Sequence, residues 1–241
     1  MRLDRRGRVA VVTLNRPAAR NALSLALQHA IVDVFGALAV DADVAAIVLT
    51  GAGQHAFCAG LDLKELAAGV DLVNLAIDPV AAVAAVGKPV IAAINGAAIT
   101  GGLELMLACD LALCADSAIF VDSHARMNVS PGWGLSQRLS RRIGLPRALE
   151  MSLGGRPVDA ATACAWGLVN HVAPAAELMA QAEALAQAIA VHDPAFIRHY
   201  RGLIEEGRNL PLADALAHEK VRSGQFNRAY TFADSNPISY R

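Results

Sequence analysis

The chain has 241 residues, a formal net charge of −1 and 55% hydrophobic residues. This length suits one domain, or one domain with a small appendage, and it can bury a large core without a disulfide or metal staple. The balanced charge argues against proteins that bind nucleic acid or a membrane surface, which usually carry a basic excess. We therefore expect neither as a partner.

The cysteines give no sign of a metal site or a disulfide framework. They show no C-x-x-C spacing and no flanking histidine cluster, which predicts reduced core thiols. The N-terminal segment lacks a long apolar region, so no signal peptide is expected. The uncharged stretch between Lys88 and Glu104 is too short to span a membrane. These features favour a soluble, cytoplasmic protein without a bound metal.

The first half of the chain alternates strand and helix signals. The valine-rich segment Arg8–Leu14 predicts a strand, and Pro17 marks a turn after it. Ser24 is typical of a helix N-cap, and residues 25–40 have apolar positions at helical spacing. Ala45–Thr50 predicts a buried strand, followed by a glycine-rich loop.

The second half continues this alternation and then becomes helical. Val90–Ile94 predicts a buried strand, and a helix is expected to begin at Gly101-Gly102. Further strands are predicted at Leu111–Cys114, Ala118–Val121 and near Leu168–Val172, with a sharp turn at Pro131–Gly134 and helices from Ser136 onward. The alternation predicts an α/β fold.

The domain organisation is less marked, because the chain has no internal repeat and no low-complexity linker. The change to helical sequence places the best boundary near residue 175, which gives a core of residues 1–175 and a helical C-terminal region of residues 176–241. Residues 224–241 are polar, contain aromatics and lack a helical period, so either a docked tail or a disordered end fits them.

Residues 51–56 have the G-x-G-x-x-A shape of a dinucleotide-binding motif. That motif requires a helix beginning inside it, so that the pyrophosphate meets the helix N-terminus. Here a second loop signature at residues 57–60 follows at once. A glycine-rich turn is the better interpretation.

Two glycine-containing segments, residues 57–64 and 95–104, give the stronger signal. Each follows a predicted strand and leads into a predicted helix. Glycines there allow backbone amides to approach a ligand oxygen, and two such amides form an oxyanion hole. Glu104 could move a proton nearby. The alternative is that both segments are tight strand–helix turns and that Glu104 only stabilises its helix N-terminus.

Four blocks resemble the crotonase (enoyl-CoA hydratase/isomerase) family in order and spacing: LNRPAARNALS (14–24), FCAGLDLKEL (57–66), KPVIAAINGAAITGGLELMLACDLALCA (88–115) and PGWGLSQRL (131–139). This resemblance implies a spiral of ββα turns with a helical C-terminal region. It also implies a homotrimer or hexamer, and an acyl-CoA or enoyl-CoA substrate. Coenzyme A would then be part of the substrate, and no separate cofactor is expected.

The resemblance also implies roles for individual residues. The two oxyanion amides fall on Leu61 and Gly101, and the first catalytic glutamate falls on Glu104. Residues implied in binding the substrate and its coenzyme A are Arg20, Asn21, Ala22, Ala59, Gly60, Asp62, Lys64 and Gly102.

His124 stands where hydratases of the family carry a second glutamate. A histidine can accept or donate a proton near neutral pH, so it could take over the acid/base task. It could instead only pack or form hydrogen bonds in the pocket. Asp122 and Arg126 are both near enough in sequence to partner it.

The sequence thus predicts an enoyl-CoA hydratase-like lyase that stabilises an enolate and uses Glu104 as acid/base. Two alternatives stay open because of His124. One is a reaction that needs a single carboxylate, either isomerisation or thioester hydrolysis. The other is a protein that binds acyl-CoA without turning it over. The nature of the acyl group is not predicted.

Overall fold

A computed structural model describes residues 1–72 and 77–229 of the chain. Its strands are β1 (Arg2–Arg6), β2 (Val9–Leu14), β3 (Ala46–Gly51), β4 (Ala56–Cys58), β5 (Val90–Ile94), β6 (Ala97–Ile99), β7 (Leu111–Ala115), β8 (Ile119–Val121), β9 (Val158–Asp159) and β10 (His171–Ala173). Its α-helices are α1 (Leu25–Val40), α2 (Leu63–Ala67), α3 (Pro79–Ala84), α4 (Gly101–Leu107), α5 (His124–Met127), α6 (Leu135–Ile143), α7 (Leu145–Gly154), α8 (Ala160–Ala165), α9 (Leu178–Ala190), α10 (Pro194–Gly207) and α11 (Leu212–Ala229).

The strands form two sheets that are filled alternately along the chain. The larger sheet has the order β1-β2-β3-β5-β7-β10, and the smaller has the order β4-β6-β8-β9. Strand β1 is antiparallel to β2 and β9 is antiparallel to β8, while the other pairs are parallel. From β3 to β8 the strands alternate between the sheets: β3, β5 and β7 join the large sheet, β4, β6 and β8 join the small sheet, and a helix follows each pair. The predicted α/β spiral of ββα turns is confirmed.

The large sheet is covered on both faces, as its strongly apolar parallel strands require. Alternate residues of β2 and β3 point to opposite sides. On one side they pack with Ile31 and Phe35 of α1, and on the other with Ala182 and Ala186 of α9. Small alanine side chains allow α9 to lie close to the sheet.

A close backbone contact joins the first two turns of the spiral. A Cβ atom added at Gly102, in the first turn of α4, would lie 2.1 Å from the carbonyl oxygen of Cys58 at the end of β4. Gly60 has a φ angle of +85°, and a Cβ atom there would lie 2.9 Å from the carbonyl oxygen of Ile99. Only glycine allows these two segments to approach so closely.

The structure confirms the long predicted elements and adds short ones. The predicted bounds of α1 and β5 match, and the Ser24 side chain caps α1 by accepting a hydrogen bond from the Leu27 N–H at 3.2 Å. The short strands β4, β6 and β9 were not predicted. Neither was β1, because four of its five residues are charged and it lies exposed at the edge of the large sheet.

The chain divides into two compact units, Met1–His192 and Asp193–Arg241. The boundary predicted near residue 175 precedes α9, whereas the structure groups α9 with the first unit because its buried face packs on the large sheet. In the second unit, α10 and α11 pair through His199 and Phe226, whose rings stack with centroids 4.3 Å apart.

Residues 224–229, where the sequence shows no helical period and left the conformation open, form the last part of α11. Residues 230–241 lie outside the described residues. Across the part of the chain that the structure describes, none of the helices combines the length and the apolar character needed to cross a membrane.

The contact at Gly102 predicts a specific sensitivity to substitution. Gly102→Ala should lower the free energy of unfolding by about 1–3 kcal/mol or more, because its new methyl group meets backbone that cannot yield. Gly36→Ala is the matched control, since Gly36 is exposed in α1 and has nothing within 4 Å of the added Cβ. That control should gain roughly 0.5–1 kcal/mol. Urea unfolding measures both, and equal stability of the two variants would contradict the contact.

Candidate active site

A cavity of about 280 Å³ opens where the ends of β4 and β6 meet the starts of α4 and α5. Most of its lining is apolar, and polar side chains come from Thr100, Glu104, Ser123 and His124. The remaining lining residues are Ala59, Leu61, Leu63, Leu66, Leu72, Ile99, Gly101, Met127, Val129, Gly132 and Trp133. An apolar cleft with a few convergent polar groups is the usual form of a small-molecule site.

The backbone N–H of Leu61 points away from the neighbouring strand segment. Leu23 forms a parallel bridge with Leu61, in which the Leu23 N–H donates to Gly60 and the Asp62 N–H donates to Leu23. In a parallel bridge of this kind, Leu61 lies between the two residues that bond to Leu23, and its own N–H points away from Leu23. The Leu61 N–H is therefore available for another acceptor.

The backbone N–H of Gly101 lies close to the same loop. Gly101 is the first residue of α4, so its N–H has no carbonyl acceptor within the helix. A Cβ atom placed on Gly60 would lie 3.4 Å from the Gly101 nitrogen. The glycine contacts that join the two segments thus bring the amides of Leu61 and Gly101 to one wall of the cavity.

Thr100, which precedes Gly101, adopts an unusual backbone conformation with φ +50° and ψ −104°. Such a conformation is strained for a β-branched residue and persists only where surrounding contacts hold it. The Thr100 N–H donates to the carbonyl of Val121 at 2.8 Å, and its hydroxyl accepts from the Ser123 N–H at 3.2 Å. These bonds fix the start of α4 against the start of α5.

The Glu104 carboxylate is buried and anchored through one of its oxygens. Oε1 accepts the backbone N–H groups of Trp133, at 3.0 Å, and Leu135, at 3.2 Å. Trp133 lies within the predicted turn at 131–134 and Leu135 directly follows it, so this turn holds the carboxylate in position.

Burial dominates the electrostatics of Glu104 and raises the pKa of its carboxyl above the ordinary value. The hydrogen bond from Leu135, the charge of His124 and the hydrogen bond from Trp133 oppose this rise, and the charge of Asp122 adds to it. A raised pKa brings a carboxyl nearer to neutral pH, where it can both take and give a proton.

His124 is held by a buried carboxylate. The Asp122 Oδ1 atom lies 2.7 Å from His124 Nδ1 and also accepts the His124 backbone N–H at 3.0 Å. Asp122 is 2% exposed and His124 is 9% exposed. Of the two partners considered from the sequence, the structure selects Asp122, while the guanidinium of Arg126 lies near Gly155.

Of the residues proposed from the sequence, the structure brings Ala59, Leu61, Gly101, Glu104 and His124 together around the cavity. The other implied residues do not line it. Arg20 and Lys64 are exposed, whereas Asn21, Ala22, Gly60, Asp62 and Gly102 are buried.

The side chains of Asn21 and Asp62 hold together the loops around the cavity. The Asn21 side chain accepts the Arg16 N–H and donates to the carbonyls of Ala52 and Ala56. The Asp62 carboxylate caps α2 and forms an ion pair with Arg16 at 2.8 Å. Hydrogen bonds from Arg16 and from the α2 backbone outweigh burial, so the pKa of Asp62 is lowered. The side chains of Asn21 and Asp62 thus form their hydrogen bonds and ion pair with other residues of the chain.

Sequence reasoning missed Trp133, which donates to Glu104 and whose ring would meet a Cβ atom at Gly101 at 3.1 Å. It also missed Thr100 and Ser123. The PGWG signature indicated a turn, but which carboxylate that turn holds depends on tertiary packing.

The raised pKa of Glu104 predicts a link between stability and pH. Between the ordinary value of 4.5 and the raised one, the native state binds more protons than the unfolded state, so this residue's contribution to stability falls as pH rises. Glu104→Gln should therefore unfold at higher urea concentration than wild type at pH 7, and the advantage should shrink toward pH 4.5. Glu150→Gln, at an exposed position of α7, should change little. A lower midpoint for Glu104→Gln at pH 7 would contradict this account.

Comparison with known proteins identifies the family to which the chain belongs. Residues 4–231 match the family model described as enoyl-CoA hydratase/isomerase. An Arabidopsis thaliana protein named probable enoyl-CoA hydratase 1, peroxisomal, is 38% identical over 227 residues, which cover 93% of this chain and 85% of that protein. The short-chain-enoyl-CoA hydratase of Clostridium acetobutylicum is 34% identical, with 92% and 87% covered.

Solved structures agree with this placement. The crystal structure of enoyl-CoA hydratase from Bacillus anthracis is similar, with a TM-score of 0.86 and 35% sequence identity. The matched region covers 92% of this chain and 89% of the Bacillus anthracis chain. The structure of enoyl-CoA hydratase from Mycobacterium tuberculosis has a TM-score of 0.77 and 38% identity, with 94% and 98% covered. The chain belongs to the enoyl-CoA hydratase/isomerase family.

Proposed function

We propose that the chain is an enoyl-CoA hydratase-like enzyme that adds water across the double bond of an enoyl-CoA thioester. One observation carries the proposal: Leu61 and Gly101, whose amides would bind the thioester oxygen, line the same apolar cavity as Glu104. Family membership makes an acyl-CoA thioester the substrate class.

The chemistry follows from the charges that develop during the reaction. When water bonds to the β-carbon, the double-bond electrons move toward the thioester oxygen and an enolate forms. The N–H groups of Leu61 and Gly101 stabilise this oxygen, an interaction that typically contributes roughly 3–4 kcal/mol per donor. Glu104 takes the proton that the water loses and returns it to the α-carbon, so that the enolate becomes the thioester carbonyl again and the Glu104 carboxylate is restored.

The coenzyme A portion would lie on the outer side of the Ala59 loop. The Ala59 N–H donates to the carbonyl of Arg20 at 3.1 Å, so the exposed Arg20 side chain begins beside the cavity wall. Lys64 is exposed in the first turn of α2. These two cations are suited to bind phosphate groups of the substrate. Coenzyme A enters as part of the substrate, and the proposed reaction needs no further cofactor.

Glu104→Gln should lower kcat for hydration of crotonyl-CoA by roughly 10²–10⁴-fold, because an amide cannot take a proton. The steady-state loss of absorbance of the conjugated thioester measures this, with crotonyl-CoA and a longer enoyl-CoA. Glu150→Gln is the matched control and should retain wild-type kcat. Wild-type turnover that equals that of Glu104→Gln on every substrate would contradict the proposal and favour a protein that only binds acyl-CoA.

We also propose that the protein assembles as a homotrimer or hexamer, as the family resemblance implies. Leu145, Leu149 and Leu153 recur one turn apart on α7 and are 62%, 46% and 74% exposed. Such an apolar stripe favours a protein partner. Sedimentation velocity at micromolar concentration should report a mass of three or six chains, and a monomer at all concentrations would contradict the assembly.

A further inference from the structure

The tautomer of His124 decides what this residue can do in the cavity. An ionised carboxylate, the group that hydratases of the family carry at this position, only accepts hydrogen bonds. A neutral imidazole has one nitrogen that donates and one that accepts. His124 can therefore act as an acceptor in the cavity only if its proton resides on the nitrogen that faces the protein.

Three hydrogen bonds hold the Asp122 carboxylate next to that ring. It accepts from His124 Nδ1 at 2.7 Å and from the His124 backbone N–H at 3.0 Å, and the Ser152 hydroxyl of α7 donates to it. Because the same oxygen binds both the backbone and the ring of His124, the ring has little freedom to turn.

The charge state of Asp122 decides which partner donates in the hydrogen bond between its carboxyl and His124 Nδ1. Burial works against the charged form, but hydrogen bonds from His124 and Ser152 outweigh it and lower the pKa of Asp122 below its ordinary value of 3.8. Asp122 is therefore a carboxylate at neutral pH and can only accept. The shared proton then belongs to His124 Nδ1.

We infer that Asp122 is a positioning residue that fixes His124 in the Nδ1–H tautomer and makes its Nε2 atom a hydrogen-bond acceptor in the cavity. The catalytic consequence rests on the proposed function. A water that donates one hydrogen to Glu104 and the other to His124 Nε2 has its lone pair free to attack the β-carbon. The water's two acceptors would thus be one carboxylate and one oriented imidazole.

The tautomer can be measured directly. In protein labelled with ¹⁵N-histidine, multiple-bond ¹H–¹⁵N correlation spectra distinguish the two neutral tautomers, and a His124→Gln variant assigns the signals of His124. We expect the Nδ1–H form in wild type once the ring is neutral. In Asp122→Asn the amide can donate to Nδ1, so the proton should move to Nε2. A wild-type ring protonated on Nε2 would overturn the inference.

Kinetics test the same inference through the reaction. Asp122→Asn should lower kcat for crotonyl-CoA hydration by roughly 10²-fold, within the range of acid–base effects, with little change in KM. Asp159→Asn is the matched control, since Asp159 caps α8 through the Thr162 N–H at 2.7 Å and does not line the cavity. It should retain kcat. Circular dichroism confirms that each variant is folded.

A double variant separates positioning from a general structural effect. If Asp122 acts only through His124, then Asp122→Asn should cause no further loss in a His124→Gln background. Losses that multiply would overturn the inference, as would an Asp122→Asn kcat within twofold of wild type. If wild type hydrates no enoyl-CoA at all, the proposed function fails, and the tautomer measurement still decides the role of Asp122.

Discussion

The site depends on one close backbone contact between successive turns of the spiral. The start of α4 lies so near the end of β4 that a single methyl group at Gly102 would overlap the Cys58 carbonyl. Gly60 makes the reciprocal approach toward Ile99. Because both segments lead from a strand of the small sheet into a helix, this contact also fixes where the backbone of Leu61 and Gly101 lies. Under the proposed function, the geometry for binding the thioester oxygen is a consequence of this backbone contact.

Two buried carboxyls, Glu104 in the cavity and Asp122 behind His124, have pKa values shifted in opposite directions. Glu104 has two backbone donors on one oxygen, yet burial prevails and the pKa of its carboxyl is raised. Asp122 has three donors, which prevail over burial and lower its pKa. Environments that push the pKa values of two carboxyls apart are typical of sites that divide proton transfer from electrostatic support. Glu104 suits the first role and Asp122 the second, with His124 between Asp122 and the cavity.

The parts of the fold that sequence could predict are those specified locally. Helix α1 has its cap, its apolar spacing and its full length within one segment, so its bounds follow from residues 24–40. Strands β4, β6 and β9 are two or three residues long and exist because of partners far along the chain, which no local pattern specifies.

In the candidate site, too, some residues follow from local sequence patterns and others depend on tertiary contacts. Glu104 and the two glycine segments carry recognisable patterns, and the structure brings them together. The partner of His124 could not be chosen from sequence, because Asp122 and Arg126 are equally distant from it along the chain. Asn21 and Asp62 are motif residues whose positions suggested ligand contact, but their side chains brace the loops that shape the site.

The proposed function requires the amides of Leu61 and Gly101 to converge on one ligand oxygen. A crystal structure with a saturated acyl-CoA, which has no double bond to hydrate, measures this geometry. We expect the thioester oxygen to lie about 2.7–3.1 Å from both nitrogens. We also expect the Glu104 carboxylate to face the α- and β-carbons of the acyl chain. A thioester oxygen bound by side chains elsewhere in the cavity, with both amides free of it, would rule out this oxyanion site.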